Sequence, residues 1–279
     1  MLIDTHSHVN FNSFRSDSDE VIKRALDNNT WLINVGSQLS TSRRAVKIAE
    51  NYNLGVYAAV GIHPIHLIAA NVDEEDMQFE SRAEEFDYEA YKELAQNKKV
   101  VAIGEIGLDY FHMKDRIKGE IDEKKIEEIK NKQKDTFIKQ FELAQELNLP
   151  VIIHSREAHE DLIEIIKKLK IHYPHAKGVI HCFDGDLETA KRYFDLGFII
   201  SFTGLVTFVK GYEWIKDIPE DRFMVETDSP YLTPPPHRGE RNEPVYVKYV
   251  ARRIAEIRGV SGKKIEKITT RNAKEFFNI

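Results

Sequence analysis

A chain of 279 residues exceeds the usual size of one domain, but a (β/α)8 barrel commonly reaches about 250 residues as a single unit, so one barrel domain over residues 1–279 is the expected organisation. With 42% hydrophobic and 31% charged residues the chain can bury a substantial core, which excludes disorder over most of its length. A formal net charge of -6 argues against a broad basic surface for nucleic acid, yet bound divalent cations would concentrate positive charge at one point and leave a nuclease open.

The opening MLIDTHSHVN lacks the basic start and apolar core of a signal peptide, and no apolar run approaches the roughly 20 residues that span a bilayer. Cys182 is the only cysteine, so no internal disulfide can form, and a cytoplasmic location is expected.

Short runs rich in Ile, Val and Leu alternate with longer amphipathic stretches, the pattern of repeated β-α units around a parallel sheet. The runs predicted as strands are Leu2 to Thr5, Trp31 to Val35, Gly55 to Val60, Val100 to Gly104, Pro150 to His154, Gly178 to His181, Gly197 to Ser201 and Arg222 to Glu226. The segments between them are long enough for crossover helices; Phe137, Phe141, Ala144 and Leu147 fall on one helical face. Eight units predict closure into a barrel, with a doubly wound open sheet as the rival. Two polar segments, about Ala70 to Glu85 and about His112 to Lys134, exceed an ordinary βα connection and read as charged helical excursions over the mouth.

The candidate chemistry falls at the carboxyl ends of these strands. In an extended backbone residues two apart point to the same side, so His6 and His8 can share one ion. Glu105 follows the fourth run, His154 ends the fifth, His181 ends the sixth and Asp228 lies just past the eighth. In a barrel those ends converge on the face that carries active sites, so six residues of ligand type meet there instead of scattering as separate surface or core side chains. Four imidazoles and two carboxylates exceed what one tetrahedral ion needs; Glu105 can bridge two divalent ions, and Mg, Mn and Zn all remain open. An ion pair of this kind activates water, so hydrolysis is the expected chemistry.

Other residues crowd the same face. His63, in Gly61-Ile62-His63-Pro64, can donate a hydrogen bond to a substrate oxygen or simply pack beside proline. Arg156 offers a fork for phosphate or carboxylate, or a solvated helix start. Tyr231 and Asn242, in a Pro-rich loop that also holds Arg238 and Gly239, are candidate nucleotide contacts. Cys182 reads as a small buried apolar residue rather than a zinc ligand. His66, His112, His159, His172, His175 and His237 read as surface residues.

The motifs DTHSH at 4 to 8, GIHP at 61 to 64, GEIGLDY at 104 to 110, HSR at 154 to 156, HCF at 181 to 183, ETDSPYLTP at 226 to 234 and RNEP at 241 to 244 occur in order over nearly the whole chain. In this set the chain resembles the TatD-related metal-dependent deoxyribonucleases of the amidohydrolase type. The resemblance implies a TIM barrel with His6, His8, Glu105 and Asp228 at one metal and Glu105, His154 and His181 at a second. It further implies that His63 and Arg156 approach the scissile phosphate and that Asp228 assists the attacking water. Relatives of this kind cleave DNA, several as 3'-to-5' exonucleases on single strands, and some are reported to deacylate misacylated transfer RNA. Two features depart from the pattern: Ile65-His66 follows Pro64 where many relatives place histidine directly after the proline, and the charged segment after GEIGLDY is longer than usual.

The leading expectation is a deoxyribonuclease that hydrolyses phosphodiester bonds with two-metal activation of water, its catalytic residues being Asp228, Glu105 and His63, and its expected form a monomer that associates with no membrane. The enzyme alternative is amide or ester hydrolysis, for example of D-aminoacyl-tRNA, because the same ions polarise a carbonyl. A noncatalytic binding protein on a barrel is the reading from another class.

Overall fold

The apolar runs expected as strands form them in a computed structural model that describes residues 1–68, 70–74, 77–81, 83–112 and 123–279. In chain order the strands are β1 (Leu2–Ser7), β2 (Thr30–Val35), β3 (Val56–Val60), the hairpin pair β4 (Ala70–Glu74) and β5 (Met77–Ser81), then β6 (Val100–Asp109), β7 (Val151–Arg156), β8 (Gly178–Ile180), β9 (Ile199–Phe202) and β10 (Phe223–Val225). The eight parallel strands form one sheet in the order β1-β2-β3-β6-β7-β8-β9-β10. Its last seam is made by an isolated bridge between Ser7 and Ser229 and by backbone bonds from Asp228 N to His6 O (2.9 Å) and His8 N to Ser229 O (2.8 Å), so the barrel is nearly closed.

Around it lie α1 (Ser18–Asp27), α2 (Leu39–Glu50), α3 (Tyr88–Ala95), α4 (Glu123–Glu146), α5 (His159–His172), α6 (Leu187–Asp195), the single turn α7 (Leu205–Phe208), α8 (Val247–Arg258) and α9 (Gly262–Phe277). Gly259 takes the left-handed conformation (φ 62°) that ends α8, and Ser261 accepts from Lys264 N to open α9 two residues later. No described helix is long and apolar enough to cross a membrane.

Side-chain alternation divides the core into two layers. Leu32, Ala58, Ile153 and Ile200 face outward to the helices, while Ile33, Ala59, Ile152 and Ile199 face into the barrel. Ala273 and Phe277 of α9 join the inner layer, so the last helix plugs the amino-terminal end of the barrel. Burial on both faces is why β3 and β6 read as continuous apolar runs.

The first charged excursion is corrected: residues 70–74 and 77–81 are not helical but pair as antiparallel strands, with Val72 opposite Phe79. Within each strand apolar residues alternate with polar ones at period two, and that strand period was masked by the density of charge. In the second, residues 123–134 are helical as the first half of α4, and 113–122 lie outside the described residues. Phe137, Phe141 and Ala144 are buried on one face of α4, with Leu147 half-buried just beyond its end.

Candidate metal centre

The carboxyl ends of β1, β6, β7 and β8 and the turn after β10 bring the expected ligand residues together. Strand alternation turns both His6 and His8 inward, and their Nε2 atoms lie 3.2 Å apart. The two oxygens of Glu105 face different imidazoles. Oε2 is 3.6 Å from His6 Nε2 and 3.7 Å from His8 Nε2, whereas Oε1 is 3.1 Å from His154 Nδ1 and 3.6 Å from His181 Nε2. Asp228 Oδ1 lies 3.4 Å from His8, 3.8 Å from His181 and 3.9 Å from His6.

Most of these separations suit a divalent cation, since atoms bound about 2.0–2.2 Å from one ion stand about 3–3.6 Å from each other, and those of Asp228 to His6 and His181 are slightly wider. The sets His6/His8/Glu105, Glu105/His154/His181 and His6/His181/Asp228 each bring three ligand atoms within 4.8 Å of one another. The outward nitrogens support the same reading. His8 Nδ1 donates to Val35 O (2.8 Å), His181 Nδ1 to Glu226 Oε1 (2.8 Å) and His154 Nε2 to Asp109 Oδ2 (3.1 Å), which fixes each ring and leaves the inward lone pair for a ligand bond. His6 Nδ1 is buried with no partner among the described residues.

Packing so many ionisable groups shifts their proton affinities. Burial pulls His154 down, but Asp109 and Glu105 outweigh it and lift it to about 10. Burial likewise opposes Glu226 and Asp228 at His181, which is lifted to about 9. Burial pushes Glu105 up, yet its hydrogen bonds with His154 and His6 outweigh that and hold it well below the usual carboxylate range.

His63 differs from the other inward-facing histidines. Its Nδ1 accepts from Ile65 N (3.1 Å), so the proton belongs on Nε2, which points into the site 3.4 Å from Glu105 Oε1. Burial, reinforced by His154, drives its pKa well below the ordinary imidazole value and keeps it a neutral donor.

Several positioning residues were not singled out from the sequence. Asp109 accepts from both His154 and His112, and Glu226 holds His181 Nδ1 and Cys182 N while accepting from Ser201 Oγ. Asp4 anchors the closing seam through Thr227 N (2.8 Å) and Thr227 Oγ1 (2.5 Å). On α4, Gln140 clamps the backbone N–H and C=O of Ile62 beside His63, and Gln133 does the same for Asp109. The available signal was two glutamines seven apart on the same face as Phe137 and Phe141.

Of the expected substrate contacts, Arg156 is half-buried with its guanidinium 5.0 Å over the Phe111 ring, and the Tyr231 ring stands 6.4 Å from that of His8. Asn242 is corrected from a nucleotide contact to a clamp. It is fully buried, its amide donates to Thr227 O and Tyr231 O, and its Oδ1 accepts from Glu243 N. Cys182 is half-buried with Sγ on Thr203 Oγ1, and burial raises its thiol well above the ordinary range, which keeps it protonated. His172 and His175 are exposed as expected, but the other histidines are not free surface residues. His66 is buried against Ser37 Oγ, His112 sits on Asp109, His159 bonds Asp184, and His237 stacks on Tyr246.

A nearly closed parallel barrel with histidines and carboxylates converging at the carboxyl ends of its strands defines the metal-dependent hydrolase class of this fold. A family model described as TatD related DNase matches residues 3–278. The chain is 42% identical to an uncharacterized metal-dependent hydrolase, YabD of Bacillus subtilis, over the full length of both. It is 34% identical to YcfH of Escherichia coli K12, another protein of that description, covering 100% of this chain and 96% of the relative. The crystal structure of YJJV, a TatD homolog from Escherichia coli K12, superposes with a TM-score of 0.80 at 28% identity, covering 100% of this chain and 98% of that one. The chain belongs to the TatD-related DNase family and is a metal-dependent hydrolase.

Proposed function

We propose that this hydrolase cleaves phosphodiester bonds in DNA, releasing nucleotides from the 3' end of single strands. The observation that carries the reading is His63, a buried neutral donor whose Nε2–H is aimed at the bridging position of Glu105. Such a donor suits a non-bridging phosphoryl oxygen as charge develops on it. His6, His8, Glu105 and Asp228 would hold one divalent cation and Glu105, His154 and His181 a second. When bound, the cations supply Lewis acidity and lower the pKa of water. Asp228 orients the attacking water and accepts its proton, and Arg156 steadies the phosphate from the mouth. Membership of a family described as TatD related DNase supports DNA as the substrate, and the motif resemblance alone suggests the 3' end as the point of attack.

The test is a gel assay of metal-depleted protein on end-labelled single-stranded and double-stranded DNA, with Mg, Mn or Zn restored one at a time and Glu105→Ala as control. Metal-dependent shortening from the 3' end, absent in the variant, is expected. Turnover of acyl substrates such as D-aminoacyl-tRNA without any cleavage of DNA would replace the reading with the ester-hydrolase alternative.

A further inference from the structure

Among the described residues, the large hydrophobic side chains that remain exposed are divided between the two ends of the barrel. Met1, Leu54 and Ile171 lie at the end remote from the metal centre, and Phe111, Phe208 and Val209 lie on the segments that follow β6 and β9 at the other end. Single exposed apolar residues are ordinary, so the aliphatic ones at the far end carry no argument. The two phenylalanines on the site face differ because each is covered by an arginine. The Arg238 guanidinium sits 4.0 Å over the Phe208 ring, and that of Arg156 sits 5.0 Å over Phe111. Arg238 is itself held by a bond from Nη1 to Thr233 O (2.9 Å), which fixes its charge beside the ring, and exposed Lys210 adds a second cation two residues from Phe208.

The strand order sets these pairs apart around the mouth. Phe111 and Arg156 follow β6 and end β7, Phe208 and Arg238 follow β9 and β10, and β8, leading to His181, lies between. A chain that touches both pairs therefore passes the carboxyl end of β8, where His181 stands. An aromatic surface joined to a guanidinium matches the repeating unit of a single-stranded nucleic acid, one base to stack and one phosphate to neutralise. Local cations of this kind reconcile polynucleotide binding with a formal net charge of -6.

We propose that Phe208 with Arg238, and Phe111 with Arg156, are two stations of a track that carries a single-stranded polynucleotide across the barrel mouth, each taking a base on the open part of the ring and a phosphate on the arginine. The inference rests on the nuclease reading and names the contacts that select a strand over a small diester. The Phe208 station is the stronger, because its arginine lies closer to the ring, 4.0 Å against 5.0 Å, and exposed Lys210 adds a second cation beside it.

The test uses the full-length, metal-loaded protein and its Phe208→Ala, Phe111→Ala and Arg238→Ala variants. Steady-state kinetics are measured on single-stranded DNA of increasing length and on bis(p-nitrophenyl) phosphate, a diester too small to span the rim. The track predicts that KM for long strands rises about fivefold or more in Phe208→Ala, as loss of one stacked base implies, and less in Phe111→Ala. Arg238→Ala should flatten the dependence of log affinity on log salt by about 0.7, the value of one phosphate contact on a single strand. Wild-type protein that degrades DNA with a KM matched by all three variants would overturn the track and leave the nuclease intact. Wild-type protein that hydrolyses the small diester but no strand of any length would overturn the nuclease reading itself. Should Phe208→Ala lose both substrates, Phe208→Leu keeps the apolar volume without the ring, and an unchanged KM for it would overturn the stacking role.

Discussion

Glu226→Gln tests whether the metal centre is held by charge outside the ligand set. Glu226 is buried and accepts from His181 Nδ1 (2.8 Å), Cys182 N (2.7 Å), Ser201 Oγ (2.6 Å) and Thr5 Oγ1 (3.3 Å). Glutamine is isosteric and keeps one oxygen for His181 and Cys182. Its amide nitrogen then faces two hydroxyls, which can turn their protons to Ile180 O and Val225 O, both already within 3.5 Å, and accept instead. The network therefore survives and only the charge is lost. A hydrogen bond to a charged group contributes about 1.5–3 kcal/mol and a neutral one about 0.5–1.5, so the variant should lose about 1–2 kcal/mol of stability. Metal affinity should fall about 10- to 100-fold, the usual cost of removing an outer partner of a ligand histidine. Competition of Zn or Mn against a chromogenic chelator measures the affinity, and circular-dichroism melting the stability. A folded variant that binds metal as tightly as the parent would refute the argument that Glu226 sets the basicity of His181.

The metal-free protein should carry protons on His154 and His181 at neutral pH, since they are lifted to about 10 and about 9, so loading should release about two protons per chain. Calorimetric titrations at pH 7.5 in phosphate and in Tris would read the number from the difference in heat; no buffer dependence would contradict the shifts. The stability that charged His154 lends the metal-free protein is complete below its unfolded value near 6.5 and is lost as pH rises through about 10, so apo Tm should fall over that range while holo Tm changes less. Asp228 stands at φ 57°, a left-handed conformation that asparagine tolerates better than alanine. Asp228→Asn should therefore keep the fold and reduce kcat by about 10²- to 10⁴-fold, as loss of a general base does; full activity would exclude Asp228 from proton transfer. Gln140→Leu strands the buried N–H and C=O of Ile62, which should cost about 1–3 kcal/mol and lower activity through a displaced His63, with urea unfolding and substrate kinetics as the readouts.

Much of the centre was legible because a parallel barrel converts linear order into geometry. Ligand-type residues at the ends of successive apolar runs must meet, so His6, His8, Glu105, His154, His181 and Asp228 could be gathered with no contact known. Asp109 and Glu226 were less visible: they lie in the same motifs, but sequence does not say which nitrogen of His154 or His181 each acid accepts from. Asn242 was misread because a polar residue in a rim loop looks the same whether it faces a substrate or binds its own backbone.

The sequence by itself determined the eight-strand alternation, the inward pairing of His6 and His8, and the set of donors available to a cation, all consequences of local periodicity. Only the tertiary structure decided that the oxygens of Glu105 address different imidazoles, that Ile65 N sets the tautomer of His63, and that two glutamines of α4 hold the loops around the site. Those features depend on distances between residues remote in sequence, and side-chain direction there is set by packing and hydrogen-bond saturation rather than by the period of a strand or helix.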